Sequence, residues 1–261
     1  MGEGSLLFLG TGASTGIPVI GCSCKVCSSL EEKDKRLRSS SLVRYEGKNY
    51  LIDVGPDIRR QALKYAINSL EALIITHTHY DHIGGLEELR IYNFIQKKPT
   101  PCLVTQESLN DIKHLFYYLF AEKVKGQNHT AQYDFQTIEA AKGETSISGL
   151  PICYITYYQG EMKVLGLRFG DLAYLTDIKN YTEDIFSFLE GVKTLVVSAL
   201  RFTPSHLHFT IDEAIDFAGR VGAPKSYFIH LSHEIEHAHV QSLLPIGMYL
   251  AYDGLEIPFH I

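Results

Sequence analysis

Residues 73–82 read Leu-Ile-Ile-Thr-His-Thr-His-Tyr-Asp-His, an apolar run that passes without a break into four ligand-type side chains, His77, His79, Asp81 and His82. His77 and His79 are two residues apart, so in extended chain they project from the same side. Asp81 and His82 enter a helical pattern that begins near Ile83, where the turn can present both back toward the first pair. Imidazoles and a carboxylate at this density are expensive to bury in an ordinary core. A strand-to-helix junction that carries these groups needs a partner they can share, and a metal ion is one that suits them.

The remaining composition sets bounds. The chain has 261 residues, 45% of them hydrophobic and 21% charged, with a net charge of −6. That is enough apolar material for one domain over 1–261 that needs no covalent staple. It is too hydrophobic and too weakly charged for a disordered chain. The acidic balance argues against broad nucleic-acid binding. No apolar stretch reaches about 18 residues, and the N-terminus lacks the charged region and cleavage site of a leader. The expectation is a soluble cytoplasmic protein with no membrane partner.

Short apolar runs of strand character recur at 6–9, 41–45, 50–54, 72–76, 102–105, 152–157, 166–169, 173–176, 194–199 and 226–231. A last pair, 248–252 and 255–259, flanks Asp253-Gly254 and reads as a hairpin. Helical spacing appears at 56–67, 83–95, 107–120, 182–189 and 210–221, the last opened by a Thr210/Glu213 capping box. Strands in groups with helices interspersed predict a layered α/β domain with mixed sheets.

The H-x-H-x-D-H run resembles the signature of the metallo-β-lactamase-fold hydrolases. Leu51-Ile52-Asp53-Val54-Gly55, Tyr174-Leu175-Thr176-Asp177 and Phe228-Ile229-His230-Leu231-Ser232 match further motifs of that family, in the same order. The resemblance implies a four-layer αββα sandwich (α/β, α+β) with up to two zinc or manganese ions at one edge. It assigns His77 and His79 to a first site, Asp81, His82 and His230 to a second, and Asp177 as the bridge. Water held between two such cations ionises near neutral pH and attacks in line. Asp53 reads either as a group that orients a ligand through hydrogen bonds or as a turn residue. One position departs from the family: Gln159 stands where a histidine of the first site is expected. An amide is a poor zinc ligand, although its oxygen suits harder ions such as manganese, so the first site is expected to be weakened. A shifted alignment that hides another ligand, with Tyr157 or Tyr158 nearby, is the other reading.

Cys22, Cys24 and Cys27 form a C-x-C-x2-C cluster, and three thiolates need one more ligand to close a tetrahedral zinc site. The cluster resembles that of the PhnP-like cyclic phosphodiesterases, which implies a structural zinc completed by His233. By the same resemblance His208 falls near the leaving group, where an imidazole could protonate a departing alkoxide. His206 reads equally as substrate rim or helix-cap packing, and His237 and His239 as solvent-facing. The glycine-rich stretch 10–16 lacks the residues of a phosphate loop and reads as a tight turn. Arg36 and Arg38 read as phosphate contacts or as ordinary ion pairs. The expected function is metal-dependent hydrolysis of a small cyclic or nucleotide-like phosphodiester, with Asp177 and His208 catalytic. A tRNA 3′-processing endonuclease of the same fold, a degenerate non-catalytic metal-binding module, and a PqqB-like relative are the alternatives. A homodimer is compatible with all of them.

Overall fold

The computed structural model describes residues 2–121 and 130–261. The first six strands, β1 (Glu3–Gly10), β2 (Ser40–Tyr45), β3 (Lys48–Ile52), β4 (Ala72–Ile74), β5 (Thr100–Thr105) and β6 (Tyr133–Ile138), build one sheet in sequential order. The next seven, β7 (Lys142–Ile147), β8 (Leu150–Gln159), β9 (Met162–Phe169), β10 (Leu172–Leu175), β11 (Thr194–Ser198), β12 (Lys225–Ile229) and β13 (Met248–Leu250), build the second. The chain then returns to the first sheet, where β14 (Glu256–His260) pairs antiparallel with β1.

Three apolar interfaces make the layers. Between the sheets, Phe8, Ile52, Ile74 and Leu103 meet Leu165, Phe169, Tyr174 and Val196, all buried. The outer face of the first sheet is covered by α1 (Ile58–Lys64), α2 (Tyr80–Ile83), α3 (Arg90–Gln96) and α4 (Gln106–Leu115), through Ile58, Ile83, Tyr92 and Ile112. The second sheet is covered by α5 (Asp184–Phe188), α6 (Ile211–Val221) and α7 (His237–Leu243), through Ile185, Phe217 and Val240. The architecture is the αββα sandwich read from the sequence. The Thr210/Glu213 capping box is present at α6, with both of its hydrogen bonds. Among the described residues no helix is long and apolar enough to cross a membrane.

The structure corrects several local expectations. The 83–95 helix is divided, because α2 ends at Ile83 and α3 starts only at Arg90 after Gly84-Gly85 and a 3-10 turn. A Cβ on Gly85 would lie 2.3 Å from the Gly55 carbonyl oxygen, so the backbone crosses too closely there for an ordinary helix. The 107–120 pattern stops as an α-helix at Leu115. Strands β6 and β7 and helix α7 were not read from the sequence. The 248–259 pair is no hairpin: β13 pairs with β12 and β14 with β1, so the Asp253-Gly254 turn carries the chain between sheets.

That turn also fixes the N-terminal loop. The Asp253 carboxylate accepts hydrogen bonds from Thr11 N and Oγ1 at 2.9 and 2.8 Å and from Leu37 N at 2.7 Å. Burial outweighs these donors and pushes its pKa up to about 6. The folded chain thus holds a proton that the unfolded chain has released. Stability from this group is greatest below the ordinary value of 3.8 and falls as pH rises through about 6. Asp253→Asn removes this slope and turns an amide NH2 toward a buried N–H donor. Urea denaturation at neutral pH should show a net loss of about 1–3 kcal/mol.

Candidate metal centre

Strands β3 and β4 run parallel, as do β10, β11 and β12, and β8 runs with β10 because both pair antiparallel with β9. Their C-terminal ends meet at one edge of the sandwich, the place where open α/β sheets gather ligands. Asp53 follows β3, His77 and His79 follow β4, Gln159 ends β8, Asp177 lies just past β10, and His230 follows β12. Asp53, Asp177 and His230 all have left-handed backbone, with φ of 60°, 50° and 57°. Such conformations cost free energy in non-glycine residues and persist where the surroundings over-determine them.

The donor atoms converge. Asp177 Oδ2 lies 2.8 Å from His82 Nε2 and 3.2 Å from His77 Nε2, while Oδ1 lies 3.3 Å from His230 Nε2 and 3.2 Å from His208 Nδ1. Asp81 Oδ2 is 3.4 Å from His82 Nε2 and 3.3 Å from His230 Nε2. His79 Nδ1 is 3.1 Å from His77 Nε2. Asp177 is buried, yet neither of its carboxylate oxygens has an aligned hydrogen-bond donor, and His82 Nε2 has no hydrogen-bond partner either. With metal–nitrogen and metal–oxygen bonds of about 2.0–2.2 Å, the edge of a coordination tetrahedron is about 3.4 Å. The close donors at 2.8–3.4 Å are spaced near the edges that such a polyhedron would have, so the cluster is one that could hold a cation.

Partners behind the donors set which nitrogen faces inward. His82 Nδ1 donates to Asp53 Oδ2 at 2.7 Å, and Thr76 N and Oγ1 donate to the same carboxylate at 2.8 and 2.7 Å. Because Thr76 Oγ1 spends its proton on Asp53, it accepts from His77 Nδ1 at 3.0 Å. Both imidazoles thus turn Nε2 toward Asp177, as outer carboxylates orient metal-binding histidines. Thr76 is a participant that no sequence signal singled out.

Charge favours cation binding as well. Burial, with His82 adding to it, pushes His77 down, and burial followed by His77 lowers His79 to about 4, so both are neutral ligands at neutral pH. Burial opposes ionisation of Asp177, but the imidazoles of His230 and His82 outweigh it and hold the carboxyl well below the usual range. His82 is held well above its ordinary value: burial opposes its charge, and Asp177, Asp53 and Asp81 overcome that. A metal ion competes with this proton for the same nitrogen.

A second cluster lies on the adjoining loop. Cys22, Cys24 and Cys27 Sγ stand 3.4, 3.5 and 3.7 Å from His233 Nδ1. A zinc tetrahedron with bonds of about 2.3 Å to sulfur and 2.05 Å to nitrogen has S···N edges of about 3.6 Å. The backbone hydrogen bond from Cys27 N leads the influences that lower the Cys24 thiol to about 6, and burial pushes Cys27 up to about 11.

The match to known proteins is broad. The family model described as Beta-lactamase superfamily domain matches residues 48–231. The crystal structure of a new diphosphatase from the PhnP family superposes with a TM-score of 0.90 at 35% identity, over 98% of this chain and 97% of that one. The chain belongs to the metallo-β-lactamase superfamily and to its PhnP family. An octanoyltransferase of Porphyromonas gingivalis is 35% identical over 255 residues, 96% of this chain and 50% of that protein. Zinc-bound PqqB from Methylobacterium extorquens shares the fold, with a TM-score of 0.70 at 20% identity over 97% of this chain and 99% of that one. This PhnP-family chain spans about half or less of the length of the curated relatives it matches.

Other candidates resolve plainly. Arg36 is buried, bonding Ile235 O at 2.8 Å and Ser232 O at 3.4 Å beside Asp34, and Arg38 pairs with Asp57 at 2.9 Å. The ion-pair reading holds for both. The 10–16 stretch is a close backbone crossing, since a Cβ on Gly10 would lie 2.1 Å from the Arg38 carbonyl oxygen. His237 is buried, not solvent-facing: its N–H bonds Asp34 Oδ1 at 2.8 Å and its ring packs edge-on against Tyr252. His239 and His206 are exposed. Asp53→Asn should weaken metal binding about 10–100-fold in chelator competition, with the circular dichroism spectrum unchanged. Wild-type affinity in that variant would remove Asp53 from the site.

Proposed function

We propose that this chain is a metal-dependent hydrolase of small phosphodiesters, cyclic or nucleotide-like. The observation that carries the reading is the buried Asp177 carboxylate, whose two unpartnered oxygens are shared between the His77/His82 side and the His230/His208 side. When bound there, a pair of zinc or manganese ions supplies a water ionised near neutral pH and screens the charge that builds on phosphorus-bound oxygens. His77, His79, Asp81, His82, Asp177 and His230 hold the ions, and Asp53 with Thr76 keeps the imidazoles turned inward. The four-residue link from His230 to His233 ties this edge to the cysteine cluster, whose zinc has a structural role.

The PhnP-family relative at 35% identity is a diphosphatase, which supports attack at phosphorus and brings a phosphoric anhydride into range as a second substrate type. The net charge of −6 argues against a tRNA-processing role. The retained donor set argues against a degenerate module.

Steady-state hydrolysis of bis(p-nitrophenyl) phosphate by manganese-loaded protein tests the proposal, beside p-nitrophenyl phosphate and a dinucleoside diphosphate. Diester turnover should exceed monoester turnover, and Asp177→Asn should reduce it at least about 100-fold. Complete inactivity of fully metal-loaded protein toward diester and anhydride contradicts it.

A further inference from the structure

We propose that His208 is a metal ligand on the Oδ1 side of Asp177, oriented by Gln159, and not a free-standing proton donor. The inference rests on the metal-centre reading above and changes its ligand set.

The placement of His208 is that of a ligand. Its Nδ1 is 3.2 Å from Asp177 Oδ1, and the same oxygen is 3.3 Å from His230 Nε2. One donor atom each from Asp177, His208 and His230 all lie within 4.8 Å of one another. Those edges match the roughly 3.4 Å expected around one cation. The rings of His208 and His230 stack at 4.9 Å and 19°, two near-parallel imidazoles presented to a single carboxylate oxygen. A donor to a leaving group must reach outward into the space where substrate sits. His208 instead turns Nδ1 inward, and only 16% of its side chain is exposed.

Gln159 completes the arrangement. It is buried at the end of β8, with its amide Nε2 within 3.0–3.1 Å of both ring nitrogens of His208, and its Oε1 has no partner. The two ends of the amide interchange by a half-turn of the terminal torsion. With Oε1 toward the ring, the amide accepts Nε2–H and leaves the Nδ1 lone pair for a cation. That is how polar groups behind a metal-binding histidine fix its tautomer. The backbone around His208 is also set: Ser205 Oγ accepts from Leu207 N and His208 N, and the capped start of α6 follows two residues later. Position 159 therefore acts on the cation through His208, and the expectation of Gln159 as a weak direct ligand gives way to an orienting role.

The test is metal content and affinity of the full chain. Wild type, His208→Ala, His208→Phe and Gln159→Ala are loaded with Mn2+, desalted and counted by plasma emission. Affinity is read by chelator competition, and zinc is counted separately for the cysteine cluster. His208→Phe keeps the stack on His230 without a donor nitrogen, which separates ligation from packing if the alanine variant folds poorly. The expected result is loss of about one manganese equivalent in both His208 variants. Zinc content should stay at the wild-type level, and Gln159→Ala should bind about 10–100-fold more weakly. Full manganese content and affinity in His208→Phe, with turnover alone reduced, overturns the proposal and returns His208 to proton transfer. Wild-type protein that takes up no manganese at the edge overturns the metal-centre reading itself.

Discussion

A carboxylate buried without a hydrogen-bond donor is the constraint on which this structure turns. Asp177 sits on left-handed backbone at the end of β10, both oxygens bare of aligned donors, with imidazoles on either side. A buried carboxylate that no aligned hydrogen bond satisfies is costly unless nearby charge compensates it. The fold keeps it by bringing the ends of five strands from both sheets to one edge and surrounding it with imidazoles and the Asp81 carboxylate. Burial of Asp53 beneath the same imidazoles follows from that requirement, because it fixes which nitrogen each ring turns inward.

The two clusters are mechanically one unit. His230 and His233 lie on a single turn of chain after β12. Leu231 exchanges backbone hydrogen bonds with Thr11 and Ala13, and Arg36 holds the carbonyls of Ser232 and Ile235. Asp34 receives the N–H of His237 from the same stretch. The loop that carries the cysteines thereby grips both sides of the segment bearing His230. A domain of this size does not need a zinc staple to make a core. A zinc held at this place would instead brace the strained φ of His230, which local sequence alone does not favour.

Much of this was legible in the sequence, and the misses have physical causes. The histidine-aspartate run and the cysteine triad are dense local patterns, while Asp177, His230 and His233 were reached through the family motifs, and the structure brings each set together. The layered α/β domain with mixed sheets was legible in the apolar runs, and its αββα arrangement in the family resemblance. Strands β6 and β7 escaped because Tyr133–Ile138 is half polar and Lys142–Ile147 largely so, and each lies at the end of its sheet, paired but little buried. Helix α7 carries two histidines and few apolar residues, so its sequence shows almost no periodicity. The Asp253-Gly254 pair did mark a turn, but a turn signal cannot say which sheets its flanking strands will join. The orientation of His208 was also out of reach, since it depends on a contact between residues 49 positions apart.

Anomalous diffraction from crystals grown with manganese, recorded at the manganese and zinc edges, tests the central claim most directly. The account predicts two manganese peaks about 3.5–4 Å apart on either side of the Asp177 carboxylate, and one zinc peak among Cys22, Cys24, Cys27 and His233. Crystals from fully loaded protein that show no anomalous density beside Asp177 would contradict it.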